Sequence, residues 1–333
     1  MCSFLVVHTD WDQQPLYPDQ KEALEQLGAE VHPLSSRTRG EFLEAAGRVH
    51  AVLNSDFVLD RELLLALKRC LIISRYGTGV NNIDVESATE LGIPVANVPG
   101  CATDAVADRT VLLLLSVTGN LLLSNRFVRA GKWGLQFLPF ATDLRGKTLG
   151  LVGFGNISRA VAERARGFGL KIMAYDPYLK TEYMRKSDVL PVDLETLLRN
   201  SDFVSLHVPL TKETHHLLNE ARISLLKPSC VLINTSRGAI IEERALVQAL
   251  KERRLFAAGL DVFEEEPPPA NHALFAMENV VLTPHSAAHT SGVTEGLRHA
   301  TVDAVIAILK NERPKNLVNP GVWPNRRRVS ASG

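Results

Sequence analysis

The stretch Leu149-Gly150-Leu151-Val152-Gly153-Phe154-Gly155-Asn156-Ile157-Ser158 decides how the chain is read. An apolar run short enough for a buried strand meets a turn with two glycines, and a helical pattern follows with Ile157, Val161 and Ala165 four residues apart. This is the strand, turn and helix of a dinucleotide site. Gly153 permits the tight turn, Gly155 lets backbone approach a pyrophosphate, and the free amides of Asn156 and Ile157 at the helix start face the phosphates. Ser158 departs from the Gly or Ala of the third small position but stays small. Asp176 lies about 23 residues beyond Gly153, near the distance of about 20 at which a carboxylate meets the adenosine ribose. A carboxylate there suits a free 2′-hydroxyl, and Pro177-Tyr178-Leu179 offers no arginine for a 2′-phosphate, so NAD is the expected cofactor.

Around this stretch the chain alternates β-rich and helical patterns, which implies parallel sheets. The first series has strands at Phe4 to Val7, Ala51 to Leu53, Leu71 to Ile73 and Ile93 to Ala96, with helices such as Gln20 to Leu27 and Arg61 to Lys68. The second has six, at Thr148 to Val152, Lys171 to Tyr175, Phe203 to Val208, Cys230 to Asn234, Ala257 to Val262 and Val280 to Thr283, which suits a Rossmann sheet. The helix Thr290 to Leu309 is expected to return to the first series, and the basic tail Asn325 to Ser330 to be solvated and frayed. Between the series, the apolar run from Val111 to Leu123 is bracketed by charged residues and too short for the roughly 20 apolar residues of a membrane span, so a buried helix is expected. The arm after it, with Trp133, Phe137 and Phe140, presents large apolar side chains to a partner surface.

At 333 residues, 45% of them hydrophobic, the chain can fill two cores of ordinary size. Lys plus Arg, 37, equals Asp plus Glu, 37, which argues against a nucleic-acid footprint or a membrane-surface field and for a small-molecule partner. Cys2, Cys70, Cys101 and Cys230 lack CxxC spacing and fit reduced thiols in a cytoplasm. The N-terminus reads as a strand rather than an export signal. No metal is expected: His285-Ser286-Ala287-Ala288-His289 has zincin spacing without its glutamate. Arg145-Gly146-Lys147-Thr148 likewise lacks the leading glycine and the following helix of a P-loop.

Three islands fall at strand ends of the second series: Asn234-Thr235-Ser236-Arg237-Gly238, Gly259-Leu260-Asp261-Val262-Phe263-Glu264-Glu265-Glu266-Pro267, and Leu282-Thr283-Pro284-His285-Ser286. Ligands of an open parallel sheet bind outside those ends. Hydride transfer at a carbonyl carbon needs an acid for the carbonyl oxygen, and a histidine oriented by a carboxylate supplies it. An arginine fork can hold a substrate carboxylate in two parallel hydrogen bonds.

With these islands in view, the chain resembles the D-isomer-specific 2-hydroxyacid dehydrogenases over nearly its whole length. Arg75-Tyr76-Gly77-Thr78-Gly79-Val80-Asn81-Asn82-Ile83-Asp84 resembles their substrate loop, Asn97-Val98-Pro99-Gly100 their hinge, and His207-Val208-Pro209-Leu210 with Thr214 their cofactor-side loop. The resemblance implies Arg237 as carboxylate-binding arginine, Glu266 as dyad carboxylate and His285 as acid/base. It further implies Asp261 on the nicotinamide side, Thr235 and Ser236 on the cofactor, and Asn54, Tyr76, Gly77, Thr78 and Gly79 around the substrate. The implied architecture is α/β with two doubly wound parallel-sheet domains: a Rossmann NAD-binding domain (101–289) inserted into a flavodoxin-like substrate domain (1–100 and 290–333). A homodimer through the NAD-binding domains is also implied.

Leu53-Asn54-Ser55-Asp56 lacks the positive charge that phosphoglycerate dehydrogenases of this family often carry after that strand, and no regulatory domain is expected to follow. A small 2-oxo acid such as glyoxylate, hydroxypyruvate or pyruvate is favoured, with 3-phosphoglycerate left open. Two other readings stay open: a dinucleotide-sensing corepressor resembling the C-terminal binding proteins, whose tryptophan position is Ala288 here, and phosphite dehydrogenase. A formate dehydrogenase would pair its histidine with glutamine, where this chain has Glu266.

Overall fold

The computed structural model describes residues 4–9, 15–34 and 39–328. The chain forms two compact units, Met1–Ala102 with Thr290–Gly333, and Thr103–His289. In the first, β1 (Phe4–His8), β2 (Ala29–Pro33), β3 (Ala51–Asn54), β4 (Ile72–Arg75) and β5 (Val95–Ala96) pair in parallel in the order β2-β1-β3-β4-β5, the flavodoxin-like winding. In the second, β6 (Thr148–Val152), β7 (Lys171–Tyr175), β8 (Leu190–Pro191), β9 (Phe203–Leu206), β10 (Val231–Asn234), β11 (Ala257–Leu260) and β12 (Val280–Leu282) pair in parallel in the order β12-β11-β10-β9-β6-β7-β8. Counted from β6, this is the Rossmann order with one further strand beyond the sixth.

The sequence predicts six strands for that sheet and the structure has seven. β8 is only two residues long and half proline, so it carries no β pattern. The central strands β9, β10 and β11 are buried along their full lengths, because helices cover both faces, and their sequences read as continuous apolar runs. Val152, Val204, Leu232 and Leu260 pack in one layer with Leu197, Leu246 and Leu250. On the other face Leu151, Phe203 and Ile233 pack with Leu113, Val117 and Val161. In the first unit the Ser291–Leu309 helix packs Val302, Val305 and Ile308 against Val6, Leu53 and Ile72.

Two expectations are corrected. The apolar run after Val111 is two helices, Thr103–Thr118 and Leu121–Arg129, bent by 60°. The break falls at Gly119-Asn120, where Asn120 adopts a φ of 50°. The first helix is a core element, but no residue of the second is buried within the chain. Among the described residues no single helix is long and apolar enough to cross a membrane. The basic tail is docked as far as it is described: Arg326 lies over the Trp323 ring at 3.6 Å, and the Arg327 amide donates to Gly92 O at 2.9 Å. Its guanidinium also reaches the Leu67 and Cys70 carbonyls. Val329 and Ser330 lie outside the described residues.

Candidate active site

β6 is followed by Gly153, whose φ is 87° and whose added Cβ would meet Val208 Cγ1 at 2.9 Å and His207 O at 3.0 Å. Only glycine lets the turn after β6 lie this close to the loop after β9, and these two strands flank the point where the sheet reverses direction. A Cβ on Gly155 would meet nothing within 4 Å, which leaves the approach to the backbone open. The Asn156–Gly167 helix begins with no side-chain cap, so its first amides point free from this turn. This donor set, open space and positive helix end fit the pyrophosphate of a dinucleotide. Asp176 caps the arrangement: one carboxylate oxygen accepts from the Phe154 amide at 2.9 Å, the other from the amides of Tyr178 and Leu179 at 2.9 and 3.2 Å. A carboxylate has about four acceptor sites, so capacity remains for a ribose hydroxyl.

His207 sits between this turn and the sheet. Its Nε2 is 2.9 Å from Ser205 Oγ, and burial pushes its pKa down to about 4, so the ring is neutral at physiological pH. Val208 and Pro209 continue the loop, and Thr214 closes it by donating to Pro209 O at 2.6 Å and accepting from the Thr211 amide at 2.7 Å. The Thr214 hydroxyl thus fixes the shape of the loop that the resemblance places on the cofactor side.

The three islands meet outside β10, β11 and β12. Glu266 Oε2 lies 2.7 Å from His285 Nδ1, and Glu266 Oε1 accepts from the Phe263 amide at 2.9 Å. Burial alone would raise the Glu266 pKa; the hydrogen bonds from His285 and Phe263, with the charges of His285 and Arg237, outweigh it and hold the carboxyl below its ordinary value. With Nδ1 committed to Glu266, Nε2 is the nitrogen left to exchange a proton with a ligand. His285 has a φ of 48°, an uncommon region for a residue with a Cβ. Asp261 holds it there. Fully buried at the end of β11, its carboxylate accepts from the amides of Ser286 at 3.0 Å and Ala287 at 2.8 Å and from the Thr283 hydroxyl, while its carbonyl accepts from the His285 amide at 2.7 Å. The Asp261 carboxylate, which the resemblance implies on the nicotinamide side, thus also braces the histidine loop.

The Arg237 turn is organised by Asn234. Its Oδ1 accepts from the Ser236 amide and hydroxyl at 3.0 and 2.9 Å, and its amide donates to Arg237 O at 2.9 Å. Thr235 bonds Thr110 on the Thr103–Thr118 helix at 2.8 Å. A Cβ on Gly238 would fall 1.9 Å from the Phe263 carbonyl, so glycine alone lets the arginine turn press against the loop carrying Glu266. Beside the dyad a cavity of about 380 Å³ is walled by Phe263, Pro267, Phe275, Leu282 and Pro284.

In the other unit, the sheet reverses between β1 and β3. Asn54, expected to touch substrate, is fully buried, accepting from Thr9 Oγ1 at 2.9 Å and donating to Phe57 O at 3.1 Å. Tyr76 is also buried, its hydroxyl 3.0 Å from His8 Nε2. Both therefore shape the base of the Gly77-Thr78-Gly79 loop. Thr78 Oγ1 donates to Val98 O at 3.1 Å and the Asn97 amide group to Thr78 O at 2.7 Å.

Sequence reasoning gave no role to Asn234, Thr283, Gly238 or Arg109, whose guanidinium reaches Ser286 O at 3.4 Å. Asn two residues before Ser is an Asx-turn signal and could have been read. Thr283 and Arg109 had none, since their partners are remote in sequence.

A doubly wound sheet with an open glycine turn at its switch point, and an arginine and a carboxylate-bound histidine beyond its strand ends, defines a nicotinamide-dependent dehydrogenase. Residues 111–287 match the family described as D-isomer specific 2-hydroxyacid dehydrogenase, NAD binding domain. The chain is 47% identical over 294 residues to a glyoxylate reductase of Thermococcus litoralis, covering 85% of this chain and 88% of that one. Its fold matches a crystal structure of a glyoxylate reductase from Paecilomyes thermophila with a TM-score of 0.87 at 30% identity, over 96% and 99% of the two chains. It also matches D-lactate dehydrogenase from Aquifex aeolicus complexed with NAD and lactic acid, with a TM-score of 0.84 at 29% identity over 94% and 98%. The chain belongs to the D-isomer specific 2-hydroxyacid dehydrogenase family, and its activity is NAD-dependent oxidoreduction between 2-hydroxy and 2-oxo acids.

Proposed function

We propose that the chain is a cytoplasmic, homodimeric reductase of small unphosphorylated 2-oxo acids, with glyoxylate and hydroxypyruvate as its substrates and NADH as reductant. The observation that carries this reading is the 2.7 Å contact of Glu266 with His285 Nδ1, on a loop next to the Arg237 turn. The bound nicotinamide supplies the hydride. Arg237 holds the substrate carboxylate in its planar fork, and the backbone amides of Thr78 and Gly79 bind that carboxylate as well. His285 Nε2 gives its proton to the carbonyl oxygen during reduction and takes it back during oxidation, while Glu266 fixes the ring. Gly153, Gly155, Asn156, Ile157 and Asp176 hold the dinucleotide, with His207, Val208, Pro209, Thr235 and Ser236 lining it and Thr214 and Asp261 shaping the loops. The NAD-binding domain is 101–289 and the substrate domain 1–100 with 290–333.

The small substrate is supported by the 47% identity to the glyoxylate reductase and by the lack of a cation in Asn54-Ser55-Asp56, which a phosphate would require. The dimer is supported by large apolar side chains exposed on the arm after the broken helix, where Trp133 is 87% and Phe140 99% exposed, and by Leu121 and Leu122, which are exposed at the start of the helix before that arm. The test is a panel of glyoxylate, hydroxypyruvate, pyruvate and 3-phosphohydroxypyruvate with NADH and NADPH. The first two should give the highest kcat/KM with NADH. NAD binding without turnover of any acid would favour a dinucleotide-sensing scaffold, and preference for the phosphorylated acid would overturn the substrate reading.

A further inference from the structure

On the second unit, His215, His216 and Glu264 bring three ligand atoms within 4.8 Å of one another. The rings of His215 and His216 lie 3.9 Å apart, tilted by 30°, and His216 Nε2 is 2.6 Å from Glu264 Oε1. None of these side chains has a part in the hydride-transfer chemistry above.

The cluster is held from behind. His216 has a φ of 50°, and its amide donates to Ala239 O at 2.8 Å, with Leu218 bound to Ile240 O at 3.0 Å, so the strap carrying both histidines is pinned. Glu264 and Glu243 cap each other: Glu264 Oε2 accepts from the Glu243 amide at 3.1 Å, and Glu243 Oε2 accepts from the Glu264 amide at 3.2 Å. Glu243 Oε1 in turn meets His272 Nε2 at 2.7 Å. The Glu264 carboxylate is thereby oriented with one oxygen bonded to backbone and the other toward His216, the outer support that metal-binding carboxylates receive.

We propose that His215, His216 and Glu264 form a binding site for a divalent transition metal of the zinc type. Two imidazoles and one carboxylate are a zinc-like set, completed by solvent in the fourth position, whereas magnesium and calcium prefer all-oxygen ligands. Donors of tetrahedral zinc lie about 3.3 Å apart at bond lengths near 2.0 Å. Rotation of the exposed His215 ring closes the remaining gap, and the metal takes the place of the proton between His216 and Glu264.

The test uses the full chain after chelator treatment, titrated calorimetrically with Zn²⁺, spectroscopically with Co²⁺, and with Mg²⁺ as control. One equivalent of Zn²⁺ should bind and raise Tm. Bound Co²⁺ should give tetrahedral visible bands without a thiolate charge-transfer band, which separates this site from Cys101. His215→Ala, which removes an exposed ring, and Glu264→Gln, which keeps an oxygen for the Glu243 amide, should each weaken binding by at least about tenfold, with metal-free Tm unchanged. His285→Ala should bind as the parent does. No bound Zn²⁺, binding untouched by the first two variants, or binding lost only in His285→Ala would overturn the proposal. Because it reads binding rather than turnover, the site stands or falls independently of the proposed substrate.

Discussion

At the scale of single residues, the balance of burial against hydrogen bonding sets the chemistry. Glu266 stays ionised because the His285 contact, the Phe263 amide and the Arg237 charge together outweigh its burial. Its folded pKa lies below the ordinary 4.5, so the pair's contribution to stability is complete above that value and is lost as pH falls through the lowered one. Replacing Glu266 with Gln should flatten the acid branch of a stability-against-pH curve below pH 4.5 and lower kcat, while His285→Ala should lower kcat by about 10² to 10⁴. His207 acts in a higher window. It is neutral in the fold with a pKa of about 4 against 6.5 when unfolded, so the unfolded chain gains a proton between those values that the native chain does not, and stability falls as pH drops through them. Tm measured from pH 7 to 4 should decline less steeply in His207→Gln. Ser158, in the position where this type of turn usually has Gly or Ala, buries a hydroxyl with no hydrogen-bond partner. Removing it in Ser158→Ala should raise stability by about 1 kcal/mol, read by urea unfolding.

At the scale of elements, the site is a set of loops braced against one another. Gly238 shows how closely: any side chain there collides with the Phe263 carbonyl, so Gly238→Ala must push the arginine turn away from the Glu266 loop. A stability loss of about 1–3 kcal/mol is expected, with a fall in kcat/KM larger than the fall in NADH affinity. Stopped-flow binding alongside steady-state rates separates the two. Asp261 braces the third loop, and Asp261→Asn would keep one acceptor oxygen but set an amide donor against one of the two amides, Ser286 or Ala287, that now donate to it. The broken helix is the element whose sequence misleads most, since Leu121 and Leu122 read as core but are exposed.

At the scale of the whole molecule, those exposed side chains are the basis for expecting two chains to associate. Sedimentation of the parent should give a dimer, and charge placed on the arm in Phe140→Asp with Leu122→Glu should shift it to monomer. A patch of apolar side chains that an isolated chain leaves in water is ordinarily covered by a partner.

Much of this was readable before any coordinates. The turn at Gly153 to Gly155, the strands on either side and the three islands at strand ends follow from patterns spanning fewer than about 20 residues, the range over which backbone geometry and hydrophobic period dominate, while the roles of Arg237, Glu266 and His285 within those islands are what the family resemblance implies. The two-residue strand β8, the docking of Arg326 and Arg327, the inward turn of Asn54 and Tyr76, and the bracing role of Asp261 were decided by tertiary structure alone. Each depends on a hydrogen bond or a ring contact whose partner is chosen by the fold. A carboxylate at a strand end reads the same in sequence whether it faces a ligand or its own neighbouring loop. Only the packed structure, by burying Asp261 and offering it two backbone amides and a hydroxyl, shows that it braces the loop carrying His285.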